Sequence, residues 1–165
     1  MIAFKDEVNW RFSPKGTMSS RFYKNFPPQK LNSPNPIQNY LETGEIDDVF
    51  FYRQDKYMYP ELRKVMQSQD TLYQWRRKYV RENKSNLCPT LTANMGTGGH
   101  NVPLVLTDDG MRKLTPRECF NFQGYPKSFK FPADMANSHL YKQAGNSVSV
   151  PLIAKLAKLI KKIIS

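Results

Sequence analysis

The clearest periodicity in the chain lies at its C-terminal end. Behind Pro151, the residues Leu152, Ile153, Leu156, Leu159, Ile160 and Ile163 recur at helical spacing, with Lys155, Lys158, Lys161 and Lys162 largely opposite them. That pattern predicts an amphipathic helix opened by the proline. A second helix is expected from Pro60, where Leu62, Val65 and Met66 share one face. Thr71 to Arg81 reads both ways. Leu72, Trp75 and Tyr79 fit a helix, whereas Tyr73, Trp75, Arg77, Tyr79 and Arg81 alternate as a strand does. Tyr and Val favour a strand for the second half. Val49–Tyr52 reads as a strand, and Asp109-Gly110 as the turn joining Val102–Leu106 to Met111–Leu114.

The strongest local signals sit at Thr115–Gly124. Thr115 is placed to cap a helix, Pro116 to occupy its first turn, and Glu118 to complete a capping box. Gly124 is a C-terminal cap, and Pro126 stops the helix from continuing. Elsewhere regular structure is sparse. Met1–Val8 is a lead-in or the remnant of a strand. Pro27, Pro28, Pro34 and Pro36 imply extended backbone, and Ile37–Leu41 one short helical turn. Gly96, Gly98 and Gly99 break any element between Thr90 and Gly110.

Composition narrows the class. In 165 residues, apolar content is a modest 39%, but ten Phe, nine Tyr and two Trp supply ring area enough for a core. The net charge of +11 favours a polyanionic partner, nucleic acid first, although a soluble basic protein would carry it too. Two distant cysteines, Cys88 and Cys119, make neither a disulfide framework nor a zinc signature and fit a reducing cytoplasm. No run of apolar residues is long enough to span a membrane. The lysine-flanked last helix suits an ordinary surface helix, and a membrane-surface peptide would look similar.

Candidate chemistry is limited to a few places. Both cysteines read as small core residues, and His100 and His139 are isolated, so neither a metal nor an acid–base role is implied. Gly96-Thr97-Gly98-Gly99 is no phosphate cradle, because no helix start follows it. It is a backbone loop that approaches a ligand or a DNA groove closely, or a plain surface turn. The basic cluster Arg76, Arg77, Lys78, Arg81 and Lys84 lies among Tyr73, Trp75 and Tyr79. Guanidinium groups bind phosphate and read guanine edges, so this cluster beside a glycine loop points to DNA rather than to a merely solvated face.

Three strings carry a resemblance. The stretch from Arg112-Lys113-Leu114-Thr115-Pro116-Arg117-Glu118 through Gly124-Tyr125-Pro126 resembles the ninth signature block of DNA cytosine-C5 methyltransferases. The stretch Leu140-Tyr141-Lys142-Gln143-Ala144-Gly145-Asn146-Ser147-Val148 through Pro151 resembles their tenth and last block. Cys88-Pro89-Thr90-Leu91 through Gly99 resembles the end of their target recognition domain. The resemblance is good from Val49 onward and loose over residues 1–48.

The resemblance implies an α+β chain. Residues 1–48 would be an extended linker, and 49–140 a small irregular recognition domain of short strands that includes the ninth block at 112–126. Residues 141–165 would carry the tenth block as a glycine turn. Their C-terminal helix would pack on an α/β Rossmann-like catalytic domain that the sequence does not contain. It further implies that Asn146, Ser147 and Val148 line an S-adenosylmethionine pocket. DNA would meet Arg76, Arg77, Lys78, Arg81, Lys84, Thr90, Asn94, Thr97, Gly98 and Gly99. The family's catalysis uses a Pro-Cys nucleophile on a flipped cytosine and a Gly-rich turn for the methyl donor. The sequence holds no Pro-Cys pair. The expectation is therefore the DNA-recognition half of a restriction–modification methyltransferase, inactive alone, with double-stranded DNA and a catalytic N-terminal half as partners. That half is either part of a longer chain or a separate subunit, which Met1 permits. The other reading is a stand-alone DNA-binding module.

Overall fold

A computed structural model describes residues 35–76, 78–83, 87–96 and 101–164. Residues 1–34 lie outside this description, as do Arg77, Lys84, Thr97, Gly98, Gly99 and His100.

The framework is an antiparallel sheet of β1 (Tyr73–Arg76), β2 (Tyr79–Glu82), β3 (Leu104–Thr107) and β4 (Gly110–Lys113), in the order β2-β1-β3-β4. The helices are α1 (Tyr59–Val65), α2 (Pro116–Phe122), α3 (Asn137–Asn146) and α4 (Val150–Ile164). This is a mixed α+β arrangement, as expected. The ambiguous Thr71–Arg81 stretch forms strands in both halves. Asp108 and Asp109 make the β3–β4 turn, and Gly110 follows at φ +125°, open to glycine and strained for other residues.

Alternation along the strands sends side chains to two cores. On one face, Tyr73, Val80, Leu104 and Met111 pack with Met58, Leu62 and Met66 of the α1 region. On the other, Leu72, Val105 and Leu114 join Cys119 and Phe120 of α2, Tyr141 and Ala144 of α3, and Ile37, Phe50 and Met95 from short 3-10 turns. Burying a Leu or Val fully is worth about 1.5–3 kcal/mol, so these two faces hold the sheet between layers. The second core continues across position 140 into α3.

Two sequence expectations are corrected here. Val49–Tyr52 is not a strand: Asp48–Phe50 is a 3-10 turn, and only Phe51 bridges to Arg112 at the sheet edge. The reason is local, since the Asp47 carboxylate accepts from the Val49 backbone N–H and starts a turn instead. Likewise Gly145 lies inside the helix α3 and not in a glycine turn. A Cβ there would come within 2.1 Å of the Thr92 carbonyl carbon, so the glycine permits a backbone contact between helix and loop.

The ninth-block helix forms as its sequence dictates. The Thr115 hydroxyl accepts from Glu118 N at 3.1 Å, and Glu118 accepts from Thr115 N at 2.8 Å, completing the capping box. At the other end Gly124 N–H donates to the Asn121 carbonyl and Tyr125 N–H to that of Phe120, a Schellman stop with Gly124 at φ +82°. Gly124 has a second duty. A Cβ on it would lie 2.5 Å from Pro151 Cδ, so the end of α2 and the start of α4 meet at this position.

Candidate nucleic-acid interface

The β1–β2 hairpin presents its two faces differently. The register pairs Tyr73 with Glu82, Gln74 with Arg81, Trp75 with Val80, and Arg76 with Tyr79. Tyr73, Trp75, Val80 and Glu82 therefore share the α1 side, and Gln74, Arg76, Tyr79 and Arg81 the opposite side. Tyr73 is a core residue whose hydroxyl accepts from Gln67 N and Ser68 N and donates to the Ser68 carbonyl. Trp75 meets Tyr57 edge-on at 6.1 Å. Of the aromatic residues in the basic cluster, Tyr79 stands out on the far face, 56% exposed.

The pairing of this hairpin with the rest of the sheet ends early. β1 pairs with β3 only at Tyr73↔Leu104. Pro103 precedes Leu104 and has no N–H to extend the ladder. Arg76, Lys78 and Arg81 of the hairpin are all exposed. Arg81 Nη2 donates to Gln74 Oε1 at 2.6 Å, and no ion pair involves Arg76, Lys78 or Arg81 among the described residues. Gln74 is a residue that the sequence reading passed over. A strand beginning at Tyr73 would have revealed it, because position 74 then falls on the face of 76 and 81.

Thr90 is exposed on the loop after Pro89, and Asn94 is exposed in the 3-10 turn Ala93–Gly96. Gly96 has a close backbone neighbour within the protein. A Cβ on it would lie 2.3 Å from the Ser138 carbonyl oxygen, so its close contact is with α3. Gly96 and Gly145 together fasten the Thr92–Gly96 stretch to that helix.

The predicted cofactor residues form the link between α3 and α4. Asn146 ends α3 and is exposed, and Val148 is 57% exposed. Ser147 turns inward, its Oγ donating to the Ala144 carbonyl at 2.7 Å. An open groove of about 840 Å³ lies between Tyr52, Arg63, Met66 and Gly110 and includes none of these three residues. On α4, Leu152, Ile153 and Ile160 are each more than 40% exposed, while Leu156 and Leu159 are half-buried, so part of the apolar stripe is uncovered.

Neither cysteine is poised for chemistry. Cys119 is fully buried in α2, and burial first, then Cys88 and Glu118, hold its thiol well above its ordinary pKa. Burial pushes the Cys88 thiol up to about 12. No group of three or more His, Cys, Asp or Glu is placed to hold a metal among the described residues, and no described helix is long and apolar enough to cross a membrane.

The sequence profile of the family described as C-5 cytosine-specific DNA methylase matches residues 1–162. The chain belongs to that family. The match includes the first 48 residues, which the signature strings alone tie to it only loosely. The methylase chain is 56% identical over 153 residues to "Type II methyltransferase M.Bsp6I" of Bacillus sp. (strain RFL6), covering 89% of this chain and 47% of that protein. It is 43% identical over 60 residues to "Type II methyltransferase M.HpaII" of Haemophilus parainfluenzae, covering 36% of this chain and 16% of that protein. Thus the chain spans less than half the length of these relatives. Among solved structures, it is similar to the Dnmt2 methyltransferase of S. pombe, with a TM-score of 0.59 at 15% identity over 83% of this chain and 45% of the other. At that identity the likeness is one of fold.

Proposed function

We propose that this chain is the DNA-recognition half of a restriction–modification DNA (cytosine-5-)-methyltransferase and that it does not transfer methyl groups alone. The observation that carries the second clause is the state of its thiols. The reaction needs a cysteine thiolate to attack the flipped base. This sequence has two cysteines, one sealed inside α2 and the other held protonated by burial at physiological pH. The nucleophile therefore comes from the part of the enzyme that lies outside these 165 residues.

DNA contact is assigned to Arg76, Arg77, Lys78, Arg81, Lys84, Thr90, Asn94, Thr97, Gly98 and Gly99. Arg76 and Arg81, exposed on the hairpin's far face and in no ion pair among the described residues, support this reading. Arg77, Lys84, Thr97, Gly98 and Gly99 enter it on sequence alone. S-adenosylmethionine supplies the activated methyl group when bound. Asn146 and Val148 are assigned to one wall of its site, since an amide and an apolar side chain stand exposed on the short link between α3 and α4. Ser147 holds that link by binding the end of α3. The uncovered part of the α4 stripe matches a surface that docks on the catalytic half.

The test is to mix the chain with a polypeptide carrying the family's Pro-Cys and Gly-rich segments, and to map 5-methylcytosine in a mixed-sequence duplex. Methylation confined to one short site, and only in the mixture, is the expected result. Specific DNA binding without methylation by any such pairing would instead make the chain a binding module.

A further inference from the structure

We propose that Gln74 is a positioning residue that sets Arg81 to read a guanine edge in the major groove. This rests on the recognition reading above and deepens it. The two residues face each other across the β1–β2 ladder, on the side turned from α1. Arg81 Nη2 donates to Gln74 Oε1 at 2.6 Å.

The consequence follows from the donor inventory. A guanidinium has five N–H donors and no acceptor, so the Gln74 oxygen is the atom that must face it. Arg81 uses one hydrogen in that bond, and a complete two-donor edge of its fork remains. A free glutamine reads adenine by turning its oxygen and its NH2 together to the base, accepting from N6 and donating to N7. The Gln74 oxygen is turned to Arg81, which holds the guanidinium in place. Guanine offers acceptors at both N7 and O6, which is what the remaining two-donor edge of Arg81 requires.

The surroundings favour this use. The far face also carries Arg76 and Tyr79, and the acidic strand residue, Glu82, lies on the opposite face beside Tyr73. No carboxylate pairs with Arg81 among the described residues. β1 pairs with β3 only at Tyr73, so the pair is offered on a two-stranded ribbon, an element that the major groove admits. A surface hydrogen bond of this kind adds little to folding, so removing it leaves the domain intact.

The experiment is selection of bound duplexes from a random-sequence pool by the full chain, followed by sequencing, with Gln74→Ala, Arg81→Lys and Arg76→Ala alongside. Circular dichroism checks that each variant is folded. The wild type should select guanine at a position where Arg81→Lys loses it and Gln74→Ala weakens it about tenfold. Both variants should keep affinity for non-selected duplex within about twofold, and 7-deazaguanine at that position should weaken the wild type but not Arg81→Lys. If Gln74→Ala keeps the full guanine preference, the positioning role is wrong while recognition by this chain stands. If Gln74→Ala and Arg81→Lys weaken all sequences alike, the pair binds phosphate instead. If the wild type selects no sequence, the recognition reading fails and takes this inference with it.

Discussion

Arg112 and Glu118 form a two-pronged ion pair inside the protein: Nη1 to Oε2 and Nη2 to Oε1, each 2.7 Å, with side chains 2% and 0% exposed. The Glu118 carboxylate also accepts from the backbone N–H of Thr115 and of Glu42. The Thr115 hydroxyl in turn donates to Glu42 Oε2 at 2.5 Å. One carboxylate thus joins β4, the start of α2 and the segment after the first 3-10 turn. The ninth-block helix is held in place as well as capped.

Removing one partner of this pair leaves a buried charge unanswered. Glu118→Ala should cost about 3–5 kcal/mol in urea unfolding. Adding Arg112→Met to it should recover part of the loss by removing the orphaned guanidinium. A loss below about 1 kcal/mol for Glu118→Ala would mean that the network does not hold the fold.

Two glycines should resist alanine. Gly145→Ala drives a Cβ into the Thr92 backbone, and Gly124→Ala adds left-handed strain to overlap with Pro151. Overpacking costs about 1–3 kcal/mol, so thermal melts should show a lowered Tm for both. Gly44→Ala is the control. It carries φ strain but has nothing within 4 Å, and should cost less than Gly124→Ala.

The sequence shows which of these features are local. The α2 caps, the β3–β4 hairpin and the α4 stripe depend on residues close together in the chain, and each was readable there. The far partners were not. Arg112 looks like a solvated strand cation until the fold brings Glu118 to it and buries both. Gly145 looks like a turn until Thr92 is seen against it. Helix α3 was missed because Gly145 and Asn146 carry breaker signals that tertiary contact overrides. On the β1–β2 hairpin, the clustering of Arg76, Lys78 and Arg81 is legible from residue type, and the structure leaves all three exposed. Gln74 became visible only once the strand register placed it beside Arg81.

Cysteine chemistry gives a pH prediction. The Cys88 thiol moves from the ordinary 9.0 to about 12 in the folded protein. The folded state then keeps a proton that the unfolded state releases, so stability contributed by this group is full below about pH 9 and falls as pH rises toward 12. Urea midpoints between pH 8 and 11 should decline less in Cys88→Ala than in the wild type. Both thiols should react with Ellman's reagent at pH 8 only after denaturation.

Binding to duplex DNA should weaken steeply with salt, because Lys and Arg release counterions on meeting phosphate. If Lys78 contacts phosphate, Lys78→Ala should lower the slope of log K against log salt by about one and weaken all sequences alike. An affinity independent of salt would remove the phosphate role.

The uncovered part of the α4 stripe should matter to assembly and not to the fold of this chain. Ile153→Glu and Ile160→Glu should leave the Tm of the isolated chain within about 2 °C, since surface substitutions change stability little. They should reduce methyl transfer by the mixture with a catalytic half, measured at limiting concentrations. A fallen Tm would place the stripe in this chain's own core instead.

The most direct measurement joins this chain to the part of M.Bsp6I that lies outside the region of similarity. Methyl transfer from S-adenosylmethionine to duplex DNA is then compared for the chimera and for the chain alone. The chimera should produce 5-methylcytosine at a defined site while the chain alone produces none. Methylation by the chain alone, or a folded chimera that methylates no sequence, would contradict its assignment as the recognition half of a cytosine-5 methyltransferase.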